Sequence, residues 1–372
     1  MTSSTKEQCV NNPITVLIVD DSAFARSVIG KKLDAHPDIK VVGFARDGVE
    51  AVEQVQALKP DVVTLDVSMP RLDGLGALER IMKDFPTPVV MLSALTGEQT
   101  QTTIAALELG AVDFYLKPAM ASPTGAPGAD LELVEKIKLA AAVPAARLRH
   151  MAAWNRTHRL GGGPPPARTV ERATRMRRVV VIGTSTGGPR ALAELIPALP
   201  RDLPAAFLVV QHMPPMFTRS LAERLNSESA LEVKEAEEGD QISPGRVLLA
   251  PGGYHMIVAK NGVVALNQEP PECAVRPAVN VTMAAAARFF GRAVLGVVLT
   301  GMGSDGTRGA AAIKAAGGQV IVEAESTCAV YGMPKSVVDA GHADKAMPLN
   351  RVAEEIIRIC GETQKATAGA KQ

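Results

Sequence analysis

The sequence lacks the features that would direct it out of the cell, into a membrane or onto a polyanion. Its 372 residues contain four cysteines without CxxC spacing, which argues against a disulfide framework and a zinc site. The segment MTSSTKEQCVNNP has no apolar core of a secretion signal, and no apolar run reaches the roughly 20 residues that span a bilayer. A net charge of +1 provides no long-range attraction to nucleic acid or anionic lipid. We therefore expect a cytoplasmic protein with reduced thiols, no nucleic-acid partner and no direct membrane insertion.

Short β-rich runs alternate with helical patterns from residue 14 to residue 118. The runs are ITVLIV, VVGFA, VVTLDV, PVVMLSA and VDFYL. Continuous apolar strands separated by amphipathic helices are typical of a parallel sheet that helices cover on both faces. We predict a doubly wound α/β domain of five parallel strands over residues 12–143, and its last helix at 131–142.

A second α/β pattern begins after a segment rich in proline, glycine and basic residues. We interpret this segment, 144–176, as a linker and assign residues 177–364 to a second domain with a mainly parallel sheet. Three short runs in that domain, VLLAP, HMIVA and GVVAL, indicate an antiparallel hairpin added to the sheet. The last residues, 365–372, have the composition of a disordered tail.

Five polar residues of the first domain stand at or just after the ends of its apolar runs. Ligands bind outside the carboxyl ends of the strands in doubly wound sheets, so Asp20, Asp21 and Asp66 should converge there. Carboxylates at that density suit Mg²⁺, and the Asp66 carboxylate could accept a phosphoryl group. Ser93 could donate to a phosphoryl oxygen and Lys117 could neutralise another, and a cis bond from Lys117 to the following proline would fix its direction. Each residue alone has a simpler interpretation as a helix cap, turn or surface lysine, but the ordered set favours a phosphate site.

A glycine-rich turn follows the first strand of the second domain, in the segment VVVIGTSTGGPRAL. Ser185 stands at the carboxyl end of this strand, close to a helix amino terminus that favours developing negative charge. A phosphate-binding loop is the rival interpretation, although GTSTGGPR lacks the Lys-Ser/Thr ending of a P-loop and does not match GxGxxG. A simple tight turn is the third.

Two further residues of this domain follow apolar runs. His212 comes after AAFLVVQ, and Asp305 lies in LTGMGSDG. Together with Ser185 they could form a nucleophile, a base and an acid that orients the base. A lone histidine is more often structural and a lone aspartate before a helix is often a cap. His255 is the competing base, but it lies inside an apparent strand.

The first domain resembles the response-regulator receiver family over residues 14–118, through VDDS, LDVSMPRLDG, MLSA and YLKP. The resemblance implies a magnesium-dependent phosphoacceptor site. Its implied members are the phosphoacceptor Asp66, the acidic metal pair Asp20 and Asp21, the phosphate-contacting Ser93 and Lys117, and the backbone carbonyl of Ser68 as a further metal ligand. Ser68 departs from the acidic or amide residue that relatives often carry, which affects the expected lifetime of the phosphate.

The second domain resembles the catalytic domain of the chemotaxis protein-glutamate methylesterases over residues 178–362. IGTSTGGP, QHMPPMFTRSLAERLN, LAPGGYHM, LTGMGSDG and VYGMP carry the resemblance. It implies a hydrolase without a cofactor, in which the nucleophile is Ser185, the base is His212, the orienting acid is Asp305, and the backbone N–H groups of Thr186 and Met302 form an oxyanion hole.

The two resemblances together imply a phosphorylation-activated enzyme of chemotactic adaptation. It would hydrolyse glutamate methyl esters on methyl-accepting chemoreceptors, releasing methanol, and some relatives also deamidate receptor glutamines. A chemotaxis histidine kinase would be the phosphodonor, and the unmodified receiver would cover the hydrolase cleft. We expect a monomer.

Two other functions are compatible with the sequence. One is a receiver-controlled module that docks on receptors without catalysis, and the other is an esterase for small molecules. Four departures from the methylesterase pattern, at Asn280, Thr282, Glu323 and Ala324, are expected to affect packing or receptor choice more than the catalytic residues.

Overall fold

A computed structural model describes residues 12–94, 96–117, 129–144, 147–148, 173 and 175–361. The chain divides into two compact units, residues 1–156 and 157–372. The predicted linker lies largely outside the described residues, and the predicted tail lies wholly outside them.

The first unit contains a five-stranded parallel sheet in the order β2-β1-β3-β4-β5. Its strands are β1 (Ile14–Val19), β2 (Ile39–Ala45), β3 (Val62–Asp66), β4 (Val89–Ser93) and β5 (Asp113–Leu116). Its helices are α1 (Ala23–Asp34), α2 (Gly48–Leu58), α3 (Gly74–Asp84), α4 (Gly97–Glu108) and α5 (Ala129–Ala141). Every residue of β3 and β4 is buried, as expected for central strands covered on both faces. The doubly wound prediction is confirmed.

Polar residues start the first four helices of this unit. Ser22, Asp47, Asp73 and Thr96 each accept a hydrogen bond from a first-turn backbone N–H of the helix that follows. Such caps satisfy donors that have no partner inside the helix. The helices therefore begin where the sequence supplies a short polar side chain directly after a strand or loop.

The second unit contains a seven-stranded parallel sheet in the order β14-β13-β12-β6-β7-β9-β8. Its strands are β6 (Arg178–Thr184), β7 (Ala205–Gln211), β8 (Glu232–Glu235), β9 (Arg246–Leu249), β12 (Val294–Val298), β13 (Gln319–Glu323) and β14 (Lys345–Met347). Its helices are α6 (Gly188–Leu195), α7 (Phe217–Glu228), α8 (Val279–Phe290), α9 (Thr307–Ala315), α10 (Met333–Asp339) and α11 (Leu349–Gly361). The mainly parallel sheet is confirmed.

The antiparallel hairpin is present, but it forms a separate two-stranded sheet. It consists of β10 (His255–Val258) and β11 (Val264–Asn267), with His255 opposite Asn267. The first of the three short runs, VLLAP, differs from the expectation because β9 joins the parallel sheet between β7 and β8. A four-residue apolar run does not specify the direction of its neighbours.

In both sheets the chain reverses its direction of winding at one point, where a ligand crevice is expected. In the first unit β1 lies beside β2 and β3, and in the second unit β6 lies between β7 and β12. Loops that follow these strands open at the carboxyl edge of each sheet, where ligands bind in folds of this type. Among the described helices, none is both long and apolar enough to cross a membrane.

Asp47 gives a test of the electrostatics of the first unit. Its buried carboxylate accepts N–H groups of Val49 and Glu50 and pairs with Arg71, whose Nε lies 2.8 Å from Oδ2. Burial by itself would raise the pKa of Asp47, but these donors outweigh it and lower the pKa below its usual 3.8. We expect Asp47→Ala to destabilise α2 by about 1–2 kcal/mol at neutral pH.

The loss should depend on pH in a defined direction. A carboxyl group whose pKa is lower in the folded than in the unfolded protein stabilises the fold at any pH above its unfolded-state pKa. This contribution disappears as the pH falls through its folded-state pKa. Amide hydrogen exchange of α2 in urea measures this loss of stability. Asp47→Asn keeps an acceptor oxygen and should therefore destabilise α2 less than Asp47→Ala. A loss in Asp47→Asn that does not change with pH would contradict the electrostatic part of the prediction.

Candidate functional sites

Three of the predicted carboxylates converge at the carboxyl edge of the first sheet. Asp20 directly follows β1 and Asp66 ends β3, its neighbouring strand. Lys117, which follows β5, reaches both of them: its Nζ lies 2.7 Å from Asp20 Oδ2 and 2.8 Å from Asp66 Oδ1. Asp20 and Asp66 are buried and Asp21 is exposed.

The charges of this site are strongly coupled. Burial raises the pKa of Asp66, against the opposing effect of the Lys117 ammonium. Burial by itself would lower the pKa of Lys117, but Asp20 and Asp66 outweigh it, and the pKa is raised. A cationic lysine between two carboxylates leaves the buried centre with excess negative charge.

The donor set of this site fits a hard divalent cation. Asp20, Asp21 and Asp66 each offer a carboxylate oxygen within 4.8 Å of the others. Oxygen ligands from one or two carboxylates, completed by water and a phosphate, are what Mg²⁺ prefers. These residues would hold the ion, and it would neutralise charge on an incoming phosphoryl group.

Hydroxyl and amide groups on α4 contact the two other predicted members of this site. Thr103 Oγ1 lies 2.9 Å from the buried Ser93 Oγ, and Gln99 Nε2 donates to Ser68 Oγ at 3.2 Å. Gln99 also accepts the Ala94 N–H at 2.8 Å. Thr103 and Gln99 were not among the predicted site residues, although both lie on the helix that follows Ser93. Pro118 lies outside the described residues, and so does the proposed cis bond.

Ser185 and His212 are neighbours at the carboxyl ends of adjacent strands. Thr184 pairs with Gln211 at the ends of β6 and β7, and the His212 N–H donates to the Thr184 carbonyl at 3.1 Å. The Gln211 side chain donates to the Ser185 carbonyl at 2.9 Å. Because adjacent strands lie about 4.8 Å apart, the residue after each paired position is also a neighbour. Among the described contacts, Ser185 Oγ donates no hydrogen bond to His212, as is common in free hydrolases.

Asp305 is brought to His212 by the loop that follows β12. Its Oδ2 lies 2.8 Å from His212 Nε2, and the His212 and Asp305 side chains are 10% and 2% exposed. Because a carboxylate only accepts hydrogen bonds, Nε2 carries the hydrogen and Nδ1 is the basic nitrogen of the neutral ring. The third predicted residue therefore lies beside the second, although β12 pairs with β6 and not with β7.

The Asp305 carboxylate is held mainly by backbone donors. Its Oδ2 accepts the Val279 N–H at 2.6 Å, and its Oδ1 accepts the N–H groups of Asn280 and Gly306 at 2.9 Å each. Val279 and Asn280 form the first turn of α8, whose positive dipole end favours an anion. Asp305 thus occupies a fixed anion site in which these three donors are all backbone N–H groups.

The loops carrying Ser185 and Met302 are joined by Thr300. The Thr300 carbonyl accepts the Ser185 N–H and the Thr184 hydroxyl, both at 3.0 Å, and its hydroxyl donates to the Thr186 carbonyl at 3.0 Å. Met302 is exposed, and its N–H donates to no residue in the described part of the chain. Thr186, the other predicted oxyanion donor, is buried beside Ser185. The available signal for Thr300 was its place as the first polar residue after the apolar run of β12.

Glycines permit the close approach of these loops. Gly187 precedes α6 with φ +78°, a conformation that side chains rarely adopt. A Cβ on Gly301 would lie 2.8 Å from the Ser185 Cβ. The Met302 loop therefore contacts Ser185 because residue 301 has no side chain.

His255, the competing base, has both ring nitrogens engaged. Nδ1 accepts the Ala278 N–H at 3.2 Å and Nε2 lies 3.2 Å from the Pro270 carbonyl. The ring is buried. This bonding supports the amino-terminal end of α8 and favours His212 as the base.

A second cluster of ligand atoms adjoins Asp305 but does not fit a resident metal. Glu272, Cys273 and Asp305 each offer an atom within 4.8 Å of the others. Each Asp305 oxygen already accepts two hydrogen bonds, and Glu272 pairs with Arg308 at 2.6 Å. Burial, followed by the charges of Asp305 and Glu272, raises the pKa of the Cys273 thiol. A metal would have to displace several of these contacts.

Two of the four departures from the methylesterase pattern lie next to the site, and their effect on packing, receptor choice or catalysis stays a prediction. Asn280 donates its N–H to Asp305. The buried Glu323 accepts the Thr300 N–H at 2.8 Å through Oε2.

Comparison with known proteins gives the family. The CheB methylesterase family matches residues 180–356 and the response regulator receiver domain family matches residues 16–123. A protein-glutamate methylesterase/protein-glutamine glutaminase of Symbiobacterium thermophilum is 50% identical over 368 residues, covering 95% of this chain and 99% of the relative. A protein with the same name from Pyrococcus abyssi is 46% identical over 348 residues, covering 93% of each chain. The crystal structure of the Thermotoga maritima CheB methylesterase catalytic domain is 50% identical, covers 49% of this chain and 98% of its own, and has a TM-score of 0.48.

The fold and these matches define a carboxylic ester hydrolase that carries a response regulator receiver domain. The chain belongs to the CheB methylesterase family. Both resemblances predicted from the motifs are confirmed.

Glu323 gives a pH-dependent prediction for this unit. Burial raises the pKa of its carboxyl group, against smaller opposing effects that include the Thr300 N–H. A group whose pKa is higher in the folded than in the unfolded protein contributes its full stability below its unfolded-state pKa. That contribution is lost as the pH rises through its folded-state pKa. We expect the melting temperature of the second unit to fall with rising pH, and Glu323→Gln to reduce that fall.

Glu355 in the same unit provides a control of opposite sign. Its pKa is lowered to about 2, first by Arg358 and also by Lys345. Glu355→Gln should therefore lose stability at neutral pH, and the difference from wild type should vanish as the pH falls through about 2. If Glu323→Gln destabilised the unit equally at every pH, the pKa of Glu323 would be the same in the folded and unfolded states and the prediction would be wrong.

Proposed function

We propose that this protein hydrolyses methyl esters of glutamate residues on chemoreceptors, and that phosphorylation of Asp66 raises the rate. The observation that carries the hydrolytic part is the 2.8 Å contact between His212 Nε2 and Asp305 Oδ2 beside Ser185. A base oriented by a buried carboxylate next to a serine at a helix amino terminus supports acyl transfer. The names of the relatives supply the substrate class.

Ser185 is the nucleophile in the proposed reaction. Its Oγ attacks the ester carbonyl carbon while His212 Nδ1 takes the hydroxyl proton, and the Asp305 carboxylate stabilises the resulting imidazolium. The tetrahedral intermediate then collapses, the carbon–oxygen bond to the methoxy group breaks, and His212 gives its proton to the departing methanol. Water attacks the acyl-enzyme with His212 again as base, which restores Ser185 and releases the glutamate carboxylate.

The oxyanion of the intermediate requires donors preorganised beside Ser185. The backbone N–H groups of Thr186 and Met302 are proposed for this role. The lack of any described acceptor for the Met302 N–H supports the assignment, as does the contact of its loop with Ser185 at Gly301. The Thr300 hydrogen bonds fix the spacing of the two loops.

The first unit would act as the phosphorylated regulator. Asp66 attacks the phosphorus of a phosphodonor, proposed to be a chemotaxis histidine kinase, and the bond from phosphorus to the donor breaks. Asp20, Asp21, Asp66 and the Ser68 carbonyl would hold Mg²⁺. Ser93 and Lys117 would contact the phosphoryl oxygens. The ion pairs of Lys117 with Asp20 and Asp66 support this assignment.

Deamidation of receptor glutamines is proposed as a second reaction of the same residues. The amide carbonyl replaces the ester carbonyl, and ammonia leaves in place of methanol after protonation by His212. The double names of the relatives favour it. The proposed location is the cytoplasm, where the receptor helices present these residues, and the proposed enzyme is a monomer.

Replacing Ser185 tests catalysis. We expect Ser185→Ala to reduce methanol release from methylated receptor membranes by on the order of 10⁴-fold or more, because the nucleophile is lost. Ser227→Ala is the matched control, since the exposed Ser227 hydroxyl donates to the Arg224 carbonyl. A docking module without catalysis would give no methanol with any of the three proteins. An esterase for small molecules would cleave small methyl esters but leave receptors methylated.

Replacing Asp66 tests regulation. We expect Asp66→Ala to abolish the stimulation of methanol release by acetyl phosphate and Mg²⁺ while unstimulated hydrolysis continues. Coupling of the usual 1–3 kcal/mol gives a stimulation of roughly 5–150-fold in the wild type. Asp84→Ala, which removes an exposed carboxylate from the end of α3, should behave like wild type. Stimulation that persists in Asp66→Ala would show that phosphate acts elsewhere.

A further inference from the structure

The amino-terminal ends of α8 and α9 cap each other. Neither helix has a capping side chain at its own start, because the residues before them are Ala278 and Gly306. Asp305, just before α9, accepts the N–H groups of the first two residues of α8. In return the Asn280 side chain, in the first turn of α8, accepts the Gly306 and Gly309 N–H groups at 2.9 and 2.8 Å.

This exchange fixes the carboxylate that contacts His212. The Gly306 N–H lies 2.9 Å from both Asp305 Oδ1 and Asn280 Oδ1, so the two side chains share one donor. Both side chains belong to buried residues, 4% exposed for Asn280 and 2% for Asp305. A Cβ on Gly309 would lie 3.1 Å from the Asn280 Cα, which shows how closely the helix starts approach.

We propose that Asn280 is a positioning residue for the Asp305–His212 pair. Its amide oxygen holds the loop that carries Asp305, and its neutrality adds no second negative charge beside the Asp305 carboxylate. The inference rests on the hydrolytic function proposed above. Asn280 acts through Asp305 and does not contact the reacting atoms.

The ionisable groups around Asp305 and Asn280 are paired with each other or uncharged. Glu272 and Arg308 form an ion pair with each other, and the raised pKa of Cys273 keeps its thiol neutral. The Asn280 amide nitrogen lies 3.8 Å from the Cys273 sulfur, so its NH₂ group faces this uncharged partner. His255 contacts the Ala278 N–H on the other side of the α8 start.

Two substitutions separate the position of the oxygen from its charge. Asn280→Asp keeps an acceptor for Gly306 and Gly309 but adds a second anion beside Asp305, which favours protonated His212. Its acid limb of kcat/KM should move to higher pH, with kcat at the plateau within about tenfold of wild type. Asn280→Ala leaves both N–H groups without this acceptor, and kcat should fall by on the order of 10²-fold with little change in KM.

Asn226→Ala is the matched control. Asn226 Oδ1 also accepts a backbone N–H, that of Val233 at 3.0 Å. Asn226 lies on α7, and Val233 lies in β8. It should lose stability without a change in the pH limb or in kcat. Methanol release from methylated receptors provides the kinetic measurements.

Histidine-selective NMR gives a readout independent of catalysis. The chain has six histidines, so the His212 resonance can be assigned with His212→Gln. We expect the His212 titration midpoint to rise in Asn280→Asp and to stay unchanged in Asn226→Ala. An unchanged midpoint and an unchanged acid limb in Asn280→Asp, together with a kcat for Asn280→Ala equal to that of Asn226→Ala, would overturn the proposal. Failure of the hydrolytic function itself would appear separately, as wild-type protein that releases no methanol while the His212 midpoint is still raised in Asn280→Asp.

Discussion

The catalytic half of this protein depends on one buried anion. An ionised carboxylate is costly to bury unless donors surround it, and three backbone N–H groups and one imidazole surround Asp305. Two of those N–H groups begin α8, and the third belongs to the residue before α9. The same hydrogen bonds therefore stabilise the junction of two helices and aim the imidazole. Structural stability and the orientation of the proposed base cannot be varied separately at this residue.

The receiver balances its buried anions in a different way. A side-chain cation, Lys117, contacts both Asp20 and Asp66. A lysine on a flexible stem can follow a new negative group when Asp66 changes its charge, whereas backbone dipoles cannot. The difference matches the proposed roles, because Asp66 must gain and lose a phosphoryl group while Asp305 must stay ionised in one place. Thr103 and Gln99 on α4 connect the Ser93 and Ser68 side of this site to a helix.

Most of the fold was predictable from the sequence because the buried strands are continuous apolar runs and their ends carry the polar residues. β3 and β6 show this directly, with Asp66 ending the first and Ser185 following the second. The mutual capping by Asn280 and Asp305 was not predictable, because it joins residues 25 positions apart and no local signal marks Ala278 or Gly306 as a helix start that needs a distant cap. The direction of β9 was also hidden, since four apolar residues pair equally well either way. Glu323 ends an apolar run as Asp66 does, yet its carboxylate accepts the backbone N–H of Thr300.

The order of synthesis gives the mutual caps a further consequence. A ribosome completes α8 before it adds Asp305, so the first turn of that helix initially has only water as a partner for its N–H groups. Ser185 and His212 are already present in the nascent chain at that stage. Asp305 and the start of α9 are synthesised next to each other, and only then can the two helix starts exchange their hydrogen bonds. A chain that stops before Asp305 therefore lacks both the acceptor of the first α8 N–H groups and the acid proposed to orient His212.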